Sequence, residues 1–309
     1  MSVEGRKLDQ IARAAWLSFV AGQTQDEIAA QMGVSRQSVQ RMVAQAQAMG
    51  LVKMRIDHPF ADCLELAVRL KKQAGLAFCE VVPSDSAGAG MAIALADCIE
   101  GWLKRETPLI AAFGTGRTLR AGVEQMSRLD CAQHRIVSLT GNIAPDGSTA
   151  YYNVLFSLSE RVMARSYPLL MPVVASSAEE REALAAQTAI ARVIQMAAQA
   201  SVAFVGIGAL GDEAPLVLDG FATQDEIASL RAAGAVGEIT GWAFDVDGQM
   251  VSDPLLERVA SAPIPAREST LVIAAATGVA KRAAIRGALA GGLVNGLITD
   301  SETAEFLLK

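Results

Sequence analysis

TQDEIAAQMGVSRQSVQRMV, residues 24–43, is where the chain declares its architecture. Thr24 and Glu27 stand three apart ahead of an apolar run. That is the spacing of a capping box, in which hydroxyl and carboxylate satisfy the exposed amides of a helix start. The helix predicted from Gln25 ends at Met32, Gly33-Val34 makes the turn, and Ser35 caps a second helix running to about Met49. Ile28, Met32, Val34, Val39 and Met42 supply the apolar positions, with small Ala29 where two helices cross. This is the pattern a helix-turn-helix requires. Its exposed face carries Arg36, Gln37, Ser38, Gln40 and Arg41, donors suited to base edges and phosphates, and no acidic residue occurs from Ser35 to Ile56. Thr24, Gln25 and Ser35 at the helix starts, and Lys53 beyond them, complete the set expected to meet double-stranded DNA. A plain three-helix bundle is the alternative, and the capping box alone does not decide, since the same tetrapeptide recurs at 223–226.

On the N-terminal side, Leu8, Ile11, Ala15, Trp16 and Phe19 have helical spacing up to a stop at Gly22. On the other side, residues 51–56 alternate as the strand of a wing would. Residues 1–57 are therefore expected to form a winged helix-turn-helix domain, and 58–309 a second domain. The charge divides the same way. The first 57 residues carry seven Lys/Arg against five Asp/Glu, and the remaining 252 carry twenty against twenty-eight. Only the mildly basic tip of this acidic chain is suited to a polyanion.

With 51% hydrophobic and 19% charged residues over 309 positions, the composition is that of a globular protein, not a disordered or fibrous one. No apolar window approaches the length of a membrane span, and MSVEGRKLDQ lacks the apolar segment of a secretory signal. A cytoplasmic protein with no membrane partner is expected. Cys63, Cys79, Cys98 and Cys131 are scattered, without a CxxC, and there are two isolated histidines, His58 and His134. Reduced thiols used as small apolar residues are expected, with no metal site, no cofactor and no catalytic residue.

After His58-Pro59, apolar residues from Cys63 to Leu70 at helical spacing begin a helix that leads into the body. Strands are predicted at 77–82, 109–113, 136–139, 169–174, 202–207, 271–275 and 297–299, with helices at 91–103, 118–126, 178–200, 224–232 and 279–290 between them. Apolar strands alternating with helices imply an α/β, doubly wound, largely parallel sheet. Ligands bind such sheets beyond the carboxyl ends of the strands. There the chain has Gly114-Thr115-Gly116-Arg117-Thr118, then Thr140-Gly141-Asn142, Gly206-Ile207-Gly208, and Ala276-Thr277-Gly278 followed by Lys281. Glycines let backbone amides approach a ligand, and a helix N-terminus favours negative charge. Turn geometry alone accounts for any one of these loops, but four at the same end of a sheet point to a ligand site.

Two motifs are set aside. Gly206 to Gly211 fits GxGxxG, yet Pro215 and a loop-like stretch stand where a long helix should follow. Asp245-Val246-Asp247-Gly248 has the look of a calcium loop, but Ala243 and Pro254 occupy two carboxylate positions, so a hairpin turn at Asp247-Gly248 is expected.

The segments TQDEIAAQMGVSRQSVQRMV, GTGRTL, VSLTGN, FVGIGAL, GAVGEITGWAFDVDG and GVAKRAAIRGALAGGLVNGLITD together resemble the SorC-type sugar-binding transcriptional regulators over nearly the whole length. AAWLSFVAGQTQDEIA and CEVVPS are most similar to the branch that controls polyol use. The resemblance implies a winged helix-turn-helix joined to a domain related to sugar-phosphate isomerases and deaminases, assembled as a homodimer or homotetramer. It also implies an effector pocket holding Gly116, Arg117, Thr118, Thr140, Gly141, Tyr151, Asn153, Glu238 and Lys281. Gly114, Thr115, Asn142, Gly206, Gly208 and Asp245, in the same segments, are counted with them. Phosphosugar-sensing relatives often have a basic residue where this chain has Thr140, a departure that fits a neutral polyol better than a phosphorylated effector. The expectation is a regulator of a carbohydrate or polyol operon whose hold on operator DNA responds to a polyol, sugar or sugar phosphate. An isomerase- or deaminase-like enzyme carrying a DNA-binding appendage is the alternative.

Overall fold

The computed structural model describes residues 3–52, 59–85, 88–144, 147–148 and 153–309. It divides into two compact units, Met1–His58 and Pro59–Lys309.

The first unit holds three helices, α1 (Val3–Phe19), α2 (Gln25–Met32) and α3 (Arg36–Ala48). The predicted capping box is formed: the Thr24 amide donates to the Glu27 carboxylate at 2.7 Å, and the Thr24 hydroxyl accepts from the Glu27 amide at 3.4 Å. Gly33, at φ +66°, closes α2 in the left-handed conformation that a side chain would strain. Leu17, Ile28 and Val39 are buried together with Ala29, Met32, Val34 and Met42 around them. The apolar stripe of α1 differs from expectation. Leu8, Trp16 and Phe19 are exposed, and the buried face runs through Ile11, Ala14, Ala15 and Leu17. Alanines on that face let α3 pack close to α1, which the larger side chains would prevent. Of the expected wing strand, Leu51 and Val52 lie outside any strand and 53–56 fall outside the described residues.

The second unit opens with α4 (Pro59–Gln73), β1 (Phe78–Val82), α5 (Ala89–Leu103), β2 (Ile110–Phe113), α6 (Arg117–Gln125), β3 (Arg135–Ile143) and α7 (Val154–Ser159). It continues through β4 (Arg165–Pro172), α8 (Ala178–Ala185), α9 (Thr188–Ala198), β5 (Val202–Gly206) and β6 (Gly208–Ala209). Then come α10 (Pro215–Leu218), α11 (Gln224–Ala232), β7 (Gly237–Ile239), β8 (Trp242–Phe244) and α12 (Pro254–Arg258). The chain closes with β9 (Leu271–Ala275), a 3₁₀ turn at Val279–Lys281, α13 (Arg282–Ala290), β10 (Gly296–Asp300) and α14 (Ser301–Leu307).

All seven expected strands enter one parallel sheet in the order β1-β10-β9-β5-β2-β3-β4. Their sequences are continuous apolar runs because both faces are covered. Leu70, Ile190, Ala197, Ile285 and Leu307 cover one face, from α4, α9, α13 and α14. Leu95, Ile99, Leu119, Val123 and Leu158, from α5, α6 and α7, cover the other. At the centre Phe113 and Phe204 stack at 5.3 Å between centroids, both fully buried. β4 forms one edge and carries Pro168, and its pairing with β3 is irregular between Val137 and Gly141. The thiols are free, and burial pushes those of Cys79 and Cys98 up to about 12, which disfavours the thiolate.

Two departures matter for the site. The single helix expected over 178–200 is two, because α9 buries Ile190 and Ala197 on the sheet whereas α8 has no buried residue. Beyond β5 lies an unpredicted three-stranded antiparallel sheet, β6-β7-β8, with its own core of Leu210, Leu216, Phe221, Ile227, Leu230 and Val259. Gly206–Gly211 leads into this sheet and the four-residue α10, not into a long helix. Asp245 sits at the hairpin bend after β8, accepting from the amides of Asp247 and Gln249 at 3.0 and 2.9 Å.

The central stack gives a direct test of this packing. Phe204→Ala is expected to lower unfolding stability by about 3–5 kcal/mol, measured by urea denaturation. A loss below about 1 kcal/mol would mean that the stack does not carry the core.

Candidate functional site

The chain runs from β2 outward through β3 and β4, then returns to place β5 on the other side of β2. A crevice opens at the carboxyl ends where the direction reverses. The Gly114 amide donates to the Phe204 carbonyl at 2.8 Å, drawing together the loops that follow β2 and β5. Above them is a cavity of about 240 Å³. Its walls include Thr115, Gly116, Arg117 and Thr118 after β2, Thr140 of β3, Gly206 and Gly208 around β5, Glu238 of β7, and Lys281 after β9.

Nine of the fifteen residues expected to contact an effector thus line one cavity. The others sit differently. Gly114 is behind the wall, where a Cβ would come to 3.1 Å from the Thr240 side chain. Gly141 lets β3 approach β4, since a Cβ there would collide with the Pro172 carbonyl. Asn142 and Asn153 are outside the lining, with Asn142 Oδ1 and Asn153 Nδ2 buried and lacking a hydrogen-bond partner among the described residues. The Asn153 Oδ1 caps α7 by accepting from the Phe156 amide at 3.3 Å. Asp245 holds its hairpin bend. Tyr151 lies outside the described residues.

Sequence reasoning missed much of the apolar and acidic wall: Val173, Leu216, Phe221, Glu213, Asp219 and Thr240. Most of these come from the short elements after β6, where no periodicity marks them. The signal for Thr240 was the adjacent Gly241, a two-residue turn joining two strands. Thr240 adopts φ +53°, the single non-glycine residue at positive φ among those described.

Glu238 is the electrostatic centre. It is 8% exposed, and its Oε2 accepts from the Gly241 amide at 2.7 Å. A Cβ on Gly208 would collide with its other oxygen, so glycine at that position makes room for the carboxylate. Burial pushes the Glu238 carboxyl above the usual carboxylate range and Asp219 adds to this, while the Gly241 amide and Lys281 pull it down. Burial also lowers Lys281, as does Arg117, against the pull of Glu238. Arg117 bonds Asp219 at 3.4 Å. Burial raises the Asp219 carboxyl in spite of that guanidinium, so desolvation outweighs this long ion pair.

The remaining polar atoms suit hydroxyl groups. The Thr140 Oγ1 is buried without a hydrogen-bond partner among the described residues. Gly116, at φ +124°, offers no capping side chain to the first amides of α6. The apolar residues would exclude water from a small ligand. Among the described residues no three His, Cys, Asp or Glu side chains cluster as a metal site would need, and no helix is long and apolar enough to cross a membrane.

In the first unit, Arg36, Gln37, Gln40 and Arg41 form an exposed stripe on α3. Ser38 is half-buried and Ser35 caps the helix, accepting from the Ser38 amide at 3.2 Å. Thr24 is engaged in its capping box and Gln25 begins α2, half-buried. Lys53 lies outside the described residues. Arg36 is within 3.6 Å of Asp26, a neighbour supplied by α2 that inspection of residues 35–56 could not find. Both side chains are well exposed, so the pair is weak and breaks readily.

Residues 58–309 match the Sugar-bind family model of a sugar-binding domain. The chain is 34% identical to the erythritol catabolism regulatory protein EryD of Brucella abortus over 300 residues, covering 96% of this chain and 95% of that one. It is 30% identical to the transcriptional regulator LsrR of Escherichia coli over 308 residues, covering 97% and 95%. The crystal structure of the full-length sorbitol operon regulator SorC from Klebsiella pneumoniae superposes with a TM-score of 0.73 at 26% identity, covering 97% of this chain and 98% of that one. With the domain match over 58–309 and relatives of 30% identity or more aligned over nearly the whole chain, the protein belongs to the SorC family of sugar-binding transcriptional regulators.

Proposed function

We propose that this protein is a cytoplasmic, DNA-binding regulator of a carbohydrate or polyol catabolic operon, divided into a DNA-binding domain at 1–57 and an effector-binding domain at 58–309. Its grip on operator DNA changes when a small polyhydroxylated effector occupies the cavity, and it works as a homodimer or homotetramer. The observation that carries the reading is a small, largely apolar cavity on a sugar-binding domain whose polar groups, Glu238, Lys281, Thr118 and the unpartnered Thr140 hydroxyl, face inward together. A polyol needs several donors and acceptors at once, and this set supplies them. The relation to an erythritol catabolism regulator supports a polyol.

Binding without turnover fits the site better than catalysis. Among the described residues no histidine or cysteine lines the cavity. An isomerase needs a base poised over the reacting carbon, and the Oε2 of Glu238, the most buried carboxylate of the wall, is already held by the Gly241 amide. The deciding experiment is a thermal-shift screen over alditols, sugars and their phosphates, because a ligand stabilises the state that binds it. Operator gel shifts with each stabilising compound follow. Stabilisation by none of them, or interconversion of aldose and ketose phosphates, would overturn the proposal.

Removing one partner of a buried polar ligand leaves the others unpaired, at a cost of about 1–3 kcal/mol. Thr118→Val, Glu238→Gln and Lys281→Ala are each expected to weaken effector binding about five- to a hundredfold, measured by calorimetric titration, with effector-free operator binding unchanged. Wild-type affinity in all three would place the effector elsewhere.

On α3, Arg36→Ala and Gln37→Ala are expected to relax operator preference, each base contact contributing about 1–3 kcal/mol of discrimination. Arg41→Ala should weaken all DNA alike and flatten the salt dependence. Competition binding against scrambled duplexes separates the two patterns, and unchanged preference in both Arg36 and Gln37 variants would misplace the recognition helix.

One helix-turn-helix makes too few contacts for a specific site, so two half-sites related by symmetry are expected. Light scattering should give at least twice the mass of one chain. A monomer both free and on DNA would refute the assembly.

A further inference from the structure

The cavity wall carries three carboxylates, Glu213, Asp219 and Glu238, against two cations, Arg117 and Lys281. Four of these act on one another. Glu238 feels Lys281 and Asp219, and Lys281 feels Arg117. Arg117 bonds Asp219 at 3.4 Å. Arg117 therefore has a protein carboxylate in direct contact, and Lys281 feels the field of another. Asp219 is the more telling of the two, because it is largely removed from solvent, with 17% of its side chain exposed against 49% for Arg117. It follows α10, in the segment that carries Leu216 and Phe221 to the same wall. Arg117 opens α6, and the Gly116 position before it offers no side-chain cap, so the start of that helix would otherwise favour an anion.

We propose that Asp219 is a specificity-determining residue whose carboxylate, held against Arg117, takes the place of an effector's anionic group and restricts the cavity to uncharged, hydroxyl-rich molecules. A phosphate monoester brings about −1.5 to −2 charges. To bind at Arg117 it must displace a protein carboxylate that stays in the same wall, and then meet Glu213, Asp219 and Glu238. A hydroxyl meets no such repulsion and can accept from Arg117 or donate to Asp219 without breaking the pair. The inference rests on the reading of this cavity as the effector site, and it narrows the effector class within that reading.

The test titrates the full chain, wild type and Asp219→Asn, with erythritol and sorbitol, with the phosphate monoester of each, and with inorganic phosphate. Wild type is expected to bind one of the free alditols at least about tenfold more tightly than its ester, and to show no saturable binding of phosphate. Asp219→Asn should gain at least about tenfold in affinity for the esters or for phosphate, and adding Arg117→Gln should abolish the gain. Asp219→Ser, which removes the same charge, gives the answer should the Asn variant not fold. Preference of wild type for an ester, or no gain in a folded Asp219 variant, overturns the proposal. If the alditols bind and the Asp219 variants gain nothing, the charge filter fails and the effector site stands. If no alditol binds but removal of Asp219 admits phosphate through Arg117, the filter stands and the polyol reading fails.

Discussion

A carboxylate withdrawn from water must be compensated, and the carboxyl end of the sheet is arranged around the one at Glu238. Its desolvation is offset in part by the Gly241 amide and by Lys281. The amide is available because Thr240-Gly241 turns tightly between β7 and β8, with Thr240 at positive φ. The lysine is available because a 3₁₀ turn precedes α13. Gly208 leaves the space that the carboxylate fills, and Gly114 the space that the Thr240 side chain fills. The small antiparallel sheet is thus the scaffold for a single buried charge. It is anchored behind the site as well: Gly237 packs on Ala284, and the Asp245–Gly248 bend packs on Gly287 of α13 and on Gly291, which caps its end. Glycines on both sides of that contact let backbone meet backbone, which fixes the hairpin carrying Glu238 relative to the helix that follows Lys281.

The parts legible in the sequence are those whose physical constraint is local or periodic. A strand covered on both faces has to be apolar throughout, so IAAF, VAFVG and LVIAA announce themselves, and the glycine loops beyond them mark the carboxyl ends of the sheet. A helix start needs its amides satisfied, so Thr24, Ser35 and Thr223 could be placed. What could not be read depends on contacts between distant segments. Strands of two or three residues, as in β6, β7 and β8, are too short to show alternation. Asp219 looks like any loop aspartate until the fold sets it beside Arg117, about a hundred residues away in sequence. Asp26 reaches Arg36 across the helix turn in the same way. The break between α8 and α9 falls within a run of good helix formers, because the sheet determines where the chain must bend. Gly141 shows the opposite error, since a glycine attributed to a ligand serves the approach of two strands.

The exposed stripe of α3 and the cavity at the carboxyl end of the sheet follow the same economy. In both, cations stand beside a carboxylate of the protein itself, Arg36 with Asp26 and Arg117 with Asp219. The difference is solvent. Asp26 is in water, where the pair is screened and exchanges freely, so Arg36 can turn to a phosphate or a guanine at little cost. Asp219 is mostly out of water, where displacing it costs more. Equal pairing at comparable distance gives a yielding contact in one place and a resistant one in the other.

β4 closes one side of the seven-stranded sheet, and an open parallel edge ordinarily offers unpaired amides and carbonyls to any passing strand. Pro168 lies within β4 and has no amide to give, and the disturbed ladder between β3 and β4 at this level breaks the regular spacing that an added strand would need. An added strand would therefore find no continuous ladder along this border. Where the ladder is broken, contact along this flank falls to side chains, of which Leu170 in β4 is well exposed.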